Sequence, residues 1–348
     1  MRFGNAIDDA RLAALLRPGD GVDTVLTADA YGAGEADELL GRALAGVARE
    51  EYCLVGAVGH DFYEGEREGS KGFPRFTDPR LRGSDSYAGY LRMATERSLE
   101  RLGVDRFDLL LLHNPDRIGY TSPAVWEGMA ALRDAGLTRL LGVAPGPANG
   151  FTLDVIDWAM VILNPLEPWT GELVLPAAAR YGLEVITRVV DYGGLFWDDV
   201  APGHAFAEHD HRAFRPDGWV AAGRERLESM RPIAERHGLT PLQLACQWNL
   251  AHDPVRCTAP TLIEEPGAAK PIEAKRAELA AVPRDIVLST DELAEIRAIG
   301  DNTGCMALKG ASPQFEGEPQ PDRWPLTGTL RDLAARWSIE PDTDLVRV

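Results

Sequence analysis

The sequence is short of several things, and each shortage excludes a class of protein. Four cysteines in 348 residues, Cys53, Cys246, Cys257 and Cys305, stand far apart with no CxxC pair. Neither a disulfide framework nor a cysteine zinc site is expected, and small buried thiols are. No apolar run approaches the roughly 20 residues that cross a bilayer, so no membrane partner is expected. Basic residues are outnumbered, 36 Lys and Arg against 54 Asp and Glu for a formal charge of −18, and no basic cluster interrupts that balance. A phosphate backbone would be repelled, so nucleic acid is not an expected partner. The start, MRFGNAIDDARLAALL, has no basic segment followed by an apolar one and no small-residue cleavage site. It does not read as a secretory leader, and the expected location is the cytoplasm. Low-complexity linkers and repeats with a sharp signature are missing too. Nothing in the sequence speaks to an oligomeric state.

What is present is an ordinary globular composition, 45% hydrophobic, with a mean hydropathy of −0.19. Short β-rich runs alternate with helical stretches from end to end, the pattern of repeated βα units around a parallel sheet. Strands are predicted at Val22–Ala28, Tyr52–Gly59, Phe107–Asn114, Arg139–Ala144, Met160–Asn164, Glu184–Val190 and Val255–Thr261, with a short first strand near Arg2–Ala6. That count of eight predicts a (β/α)₈ TIM barrel. Apolar residues recur at three- and four-residue steps in Ala36–Arg49, Ser86–Leu102, Ala124–Ala135, Glu172–Tyr181 and Arg224–Arg236, which predicts the outer helices. A further helix is expected over Thr290–Ile299. Barrels reach this length with a single core. The reading is therefore one domain over 1–348, with 304–348 as a C-terminal extension packed on it through Trp324, Leu326, Leu333 and Trp337.

Two connections are long, Gly59–Asp85 and Gly193–Gly218, and rich in Gly, Pro, charge and aromatics. In a barrel such loops overhang the mouth where chemistry is done. His60 and Asp61 open the first, either facing that mouth or solvated. The second carries His204, Glu208, His209, Asp210 and His211, a weak metal signal, so no metal is assigned. It runs on to Trp219 with the mixed cations and aromatics of a lid. The tryptophans Trp158, Trp169, Trp197 and Trp248 read as packing rather than sugar platforms.

The stretch Thr27-Ala28-Asp29-Ala30-Tyr31-Gly32, followed by Glu38-Leu39-Leu40-Gly41-Arg42-Ala43-Leu44, resembles the aldo-keto reductase signature. The likeness continues through Ser98-Leu99-Glu100-Arg101-Leu102-Gly103, Asp108 to Asp116 and Gly142-Val143, covering about residues 1–300. The resemblance implies reduction of carbonyls with NADPH by a Tyr acid flanked by an Asp, a Lys and a His. Tyr31 falls on the Tyr and His113 on the His; Leu26 stands at the Asp position and Ala57 at the Lys position. A phenol with an ordinary pKa near 10 depends on a neighbouring cation or hydrogen bond to act as an acid near neutrality. The resemblance leaves no cation in the Lys place, and His113 is the group that could still hydrogen-bond Tyr31 or a substrate oxygen.

The cofactor positions it implies are altered as well. Ala144-Pro145 replaces the Ser-Asn that holds the nicotinamide amide, Met160 the Gln, and Arg188 an aromatic that stacks on the ring. Glu264 and Glu265 stand where the adenosine phosphate is gripped, with Lys270, Lys275 and Arg276 to offset them. The reading therefore favours a divergent member acting on a small carbonyl or sugar-like molecule by non-redox acid/base chemistry through Tyr31 and His113. Asn114, Arg188, Asp191, Tyr192, His60 and Trp219 are the candidate substrate contacts, and no cofactor is favoured. The alternative is a divergent NAD(P)(H)-dependent reductase, with NADP or NAD held by Arg188, Lys270, Lys275 and Arg276. A second alternative is a non-catalytic binding or regulatory barrel. Cys305 is a weak candidate thiol, and Lys71 is the first lysine to check near Tyr31.

Overall fold

The computed structural model of the protein describes residues 7–67, 72–144, 155–206, 210, 212, 218–267 and 270–300. The predicted strand near Arg2–Ala6, Lys71, Pro145, Glu208, His209, His211, Cys305 and the whole of 304–348 lie outside them. The described chain forms two compact units, which divide at Met160.

The unit Asp8–Met160 begins with helix α1 (Asp9–Leu16), which Asp8 caps by accepting a hydrogen bond from the Arg11 amide. It continues with β1 (Thr24–Leu26), α2 (Glu35–Leu44), β2 (Cys53–Val58), α3 (Tyr87–Leu102), β3 (Phe107–His113), α4 (Arg117–Thr121), α5 (Pro123–Asp134), β4 (Thr138–Ala144) and the start of β5 (Trp158–Ile162). The strands are parallel neighbours in chain order: Leu26 pairs with Val55, Ala57 with Leu111, His113 with Ala144 and Val143 with Ala159. β3 is apolar without alternation because both its faces are covered, and Leu109 to Leu112 are at most 3% exposed. α3 buries Tyr87, Tyr90, Leu91, Ala94, Leu99 and Leu102 at helical steps and ends at Gly103, whose φ of 69° closes the last turn. A Cβ at Gly56 would meet the Phe107 ring at 2.4 Å, so β2 carries a glycine where β3 presents its largest residue.

The second unit, from Val161 on, holds α6 (Trp169–Tyr181), β6 (Glu184–Arg188), α7 (Trp219–Arg236), α8 (Pro241–Leu250), β7 (Val255–Ala259), α9 (Ile272–Ala280) and α10 (Thr290–Ile299). β6 and β7 are parallel, with Thr187 opposite Thr258 and Arg188 opposite Ala259. The Leu163 amide donates to the Arg188 carbonyl, and the Asn164 side chain donates to that of Val189. Trp197 and Trp248 are buried, their indole N–H groups donating to the Thr261 and Leu293 carbonyls, so both are packing residues as expected.

Candidate functional site

Tyr31 stands at the head of a short 3₁₀ turn, Tyr31–Gly34, between β1 and α2. Gly34 caps α2 at φ 101°, a conformation only glycine adopts without strain. The turn lifts Tyr31 out of the sheet, leaving it 52% exposed. His113 ends β3, 6% exposed, and its ring meets Tyr31 edge to face at 5.7 Å between centroids. The two residues singled out by the sequence signature therefore share one corner. Leu26, at the position the resemblance gives to the Asp, ends β1 and is 37% exposed, while Ala57 is buried in β2.

His60 joins the corner. Gly59 passes so close to β3 that a Cβ there would lie 2.8 Å from the His113 carbonyl, and this brings the His60 ring to 4.8 Å from that of His113. Arg75, from the far limb of the same loop, places Nη1 at 2.8 Å from His60 Nδ1, and its Nε donates to the Asn114 carbonyl. His60 Nδ1 also lies 3.1 Å from the Phe73 carbonyl. The Asn114 side-chain nitrogen lies 3.3 Å from His60 Nε2. Burial first and Arg75 second pull the His60 pKa down to about 4, so the ring is neutral at physiological pH. Asn114 takes φ 46° at the end of β3, which turns its carbonyl towards Arg75.

Asp61 is fully buried rather than solvated: it pairs with Arg82 at 2.5 Å and accepts from the Tyr63 and Glu64 amides. Asp37 is equally buried, accepting from Thr27 and Ser98 at 2.7 Å each and from Arg101 at 3.2 Å. Asp29, two residues before Tyr31, differs from both. It is 0% exposed, and neither carboxyl oxygen has a hydrogen-bond partner among the described residues. Burial, reinforced by Asp37, holds its pKa well above the usual carboxylate range.

The remaining candidates lie in the other unit, and most of them are engaged there. Asp191 is 1% exposed and accepts from the Thr261 and Gly194 amides at 2.9 Å each. Tyr192 is 1% exposed and packs edge-on against Trp219, itself 4% exposed and stacked with Phe206. Arg188, at the end of β6, is partly exposed. Lys275 is fully buried, 2.5 Å from Asp199, and donates to the Ile263 carbonyl; Lys270 pairs with Glu278 at 2.7 Å. Arg276 stays partly exposed. Arg212 is 1% exposed and binds Asp210, Glu265 at 2.6 Å and the Gly193 carbonyl, while His204 lies 3.1 Å from Glu265. The Glu265 charge is thus matched inside the protein, which removes part of the repulsion expected towards a phosphate. Among the described residues no three His, Cys, Asp or Glu side chains gather to hold a metal ion, and no helix is long and apolar enough to cross a membrane.

Parallel βα units with a Tyr–His corner beyond the strand ends define a class of barrel proteins, and comparison with known proteins narrows it. The model of the Aldo/keto reductase family matches residues 6–301, and the chain belongs to that family. A probable aldo-keto reductase 1 of Glycine max is 24% identical over 244 residues, 64% of this chain; the match spans about three fifths of that relative's own length, 62%. Two solved structures share the fold. A glycerol dehydrogenase from Gluconobacter oxydans is 22% identical with a TM-score of 0.64, covering 88% of this chain and 86% of its own. An aldo/keto reductase from Klebsiella pneumoniae in complex with NADP and acetate is 21% identical with a TM-score of 0.54 and 84% coverage of each.

These findings correct two expectations. Non-redox chemistry as the main activity gives way to the oxidoreductase alternative, since the family and its named members are reductases and dehydrogenases. The expectation that no cofactor is favoured is overturned by the similar protein solved with NADP. Both errors came from weighting substituted positions above the preserved frame. His60 was among the candidate contacts because it opens the long loop after β2; Arg75, on the same loop, carries no motif and was not singled out.

Proposed function

We propose that this chain is an NAD(P)(H)-dependent reductase of small carbonyl compounds, built as a single barrel with its tail as an extension. The observation that carries the reading is the exposed Tyr31 phenol set against His113, within a chain of the aldo/keto reductase family. The cofactor, when bound, supplies a hydride to the carbonyl carbon. Tyr31 O–H donates to the carbonyl oxygen and surrenders its proton as the alcohol forms, and His113 orients that oxygen. The His60 ring, neutral and fixed by Arg75, shields the far side of His113 from water.

The residues present fit a dinucleotide by charge rather than by an amide clamp. Arg188 and Arg276 are partly exposed cations that would hold its phosphates. Lys275 is committed to Asp199, and the Glu265 charge is matched by Arg212. The substrate is a small molecule, and the cytoplasm is the proposed location. Tyr31→Phe tests the reading by steady-state kinetics: kcat for aldehyde reduction is expected to fall by on the order of 10²-fold or more, with cofactor affinity within about threefold of wild type. Unchanged kcat would remove Tyr31 from the chemistry.

A further inference from the structure

Three consecutive residues of the turn that carries Tyr31 are left-handed: Gly32 at φ 63°, Ala33 at φ 54° and Gly34 at φ 101°. The glycines take that conformation freely, but Ala33 is held in it despite its Cβ. A turn of this kind stays formed only while its surroundings fix it. On the strand side the Asp29 amide donates to the Ala57 carbonyl and the Tyr31 amide to that of Ala28. On the helix side Gly34 lies so close to Arg101 that a Cβ there would meet its side chain at 3.0 Å.

Asp29, which makes the first of those bonds, is 0% exposed, and neither carboxyl oxygen has a hydrogen-bond partner among the described residues. The groups that face it are Asp37 from α2, Tyr90 and Arg101 from α3, and Asp61 and Tyr63 from the loop after β2. Burial, Asp37 and Asp61 oppose its charge, and they outweigh Arg101 and the Ala30 amide. Arg101 is already bound to Asp37 and to the Tyr63 hydroxyl, at 3.2 Å each. An ionised Asp29 would therefore have no counter-ion of its own in the closed corner, and hydrating its charge requires the turn to open. We propose that Asp29 is a proton-operated latch on the Tyr31 turn: protonated it leaves the turn closed, and ionised it is drawn to water, which opens the turn and parts Tyr31 from His113. The effect on activity rests on the reductase reading, whereas the latch itself is tested without turnover.

Opening releases one proton wherever the pH lies above the ordinary carboxylate value and below that of the closed corner. Hydrogen exchange of the full chain is followed on peptides spanning residues 29–38, with β3 as reference. Between about pH 5 and pH 8 the protection of the wild-type turn is expected to fall by roughly tenfold per pH unit, and to stay below that of β3 throughout. Asp29→Asn, which keeps the shape and cannot ionise, is expected to abolish the slope. If an aldehyde is reduced, kcat/KM of Asp29→Asn is expected to match wild type within about twofold at pH 6 and to exceed it several-fold at pH 9. Wild-type protection that does not change with pH overturns the latch, because Asp29 is then ionised and paired in the closed corner. A folded Asp29→Asn with the wild-type slope overturns it too, as does equal protection of the turn and β3, which would make the opening global. Should Asp29→Asn fail to fold, the wild-type slope and its comparison with β3 decide alone. A slope without any reduction sinks the reductase reading and leaves the latch standing.

Discussion

Asp29 lies two residues from the proposed acid, and its burial makes it a source of instability rather than of chemistry. Its folded-state pKa is raised above an unfolded value near 3.9. The folded form therefore holds a proton that the unfolded chain has released, and the stability this gives is lost as pH rises from about 4 through the folded pKa. Asp29→Asn removes the dependence: relative to wild type, its melting temperature is expected to gain at pH 8 and to gain less at pH 4. A pH-independent difference would mean that Asp29 is ionised and paired in the native state. At this scale the sequence was partly legible. Tyr31 and His113 were found because a signature fixes their spacing. Asp61 was misjudged because its burial depends on Arg82, 21 residues on, across a loop with no period to read. Arg75 was invisible for the same reason, since its contacts exist only once Gly59 lets the loop close onto β3.

At the scale of elements, strand cores and most helices were legible to within a few residues: β2 at Cys53–Val58, β6 at Glu184–Arg188 and α10 at Thr290–Ile299 fall where apolar periodicity and flanking Gly or Pro put them. β1 shrinks to Thr24–Leu26, the ends of its predicted span being drawn into turns. α8 at Pro241–Leu250 was missed, although Thr240 and Gln243 form a capping box around its first turn. Its side is buried all round, from Leu242 to Asn249, which erases the amphipathic period. Connections were the least legible. Nothing local announces that Arg212 ties the segment after β6 to Glu265 beyond β7. Arg212→Met leaves Asp210 and Glu265 buried without their cation, so a loss of about 3–5 kcal/mol is expected in urea denaturation, with part of it recovered by Glu265→Gln. A loss below about 1 kcal/mol would show that the network forms no integral part of the unit.

For the molecule as a whole, fold and family were legible because repeated βα spacing and a signature around Tyr31 agree over some 300 residues. Activity was not, because substituted positions such as Leu26, Ala57 and Ala144 remove side chains without saying what replaces them. The structure supplies part of the answer in the His60–Arg75 pair at the end of β3 and in the internal neutralisation of Glu265. The most direct test of the central claim is titration of the purified chain with NADPH and NADH, followed by quenching of its eight tryptophans and by calorimetry. The reductase account predicts saturable one-to-one binding in the micromolar range, weakened several-fold in Arg276→Ala, together with consumption of the bound cofactor on addition of aldehyde. Failure to bind either nucleotide at millimolar concentration would contradict it.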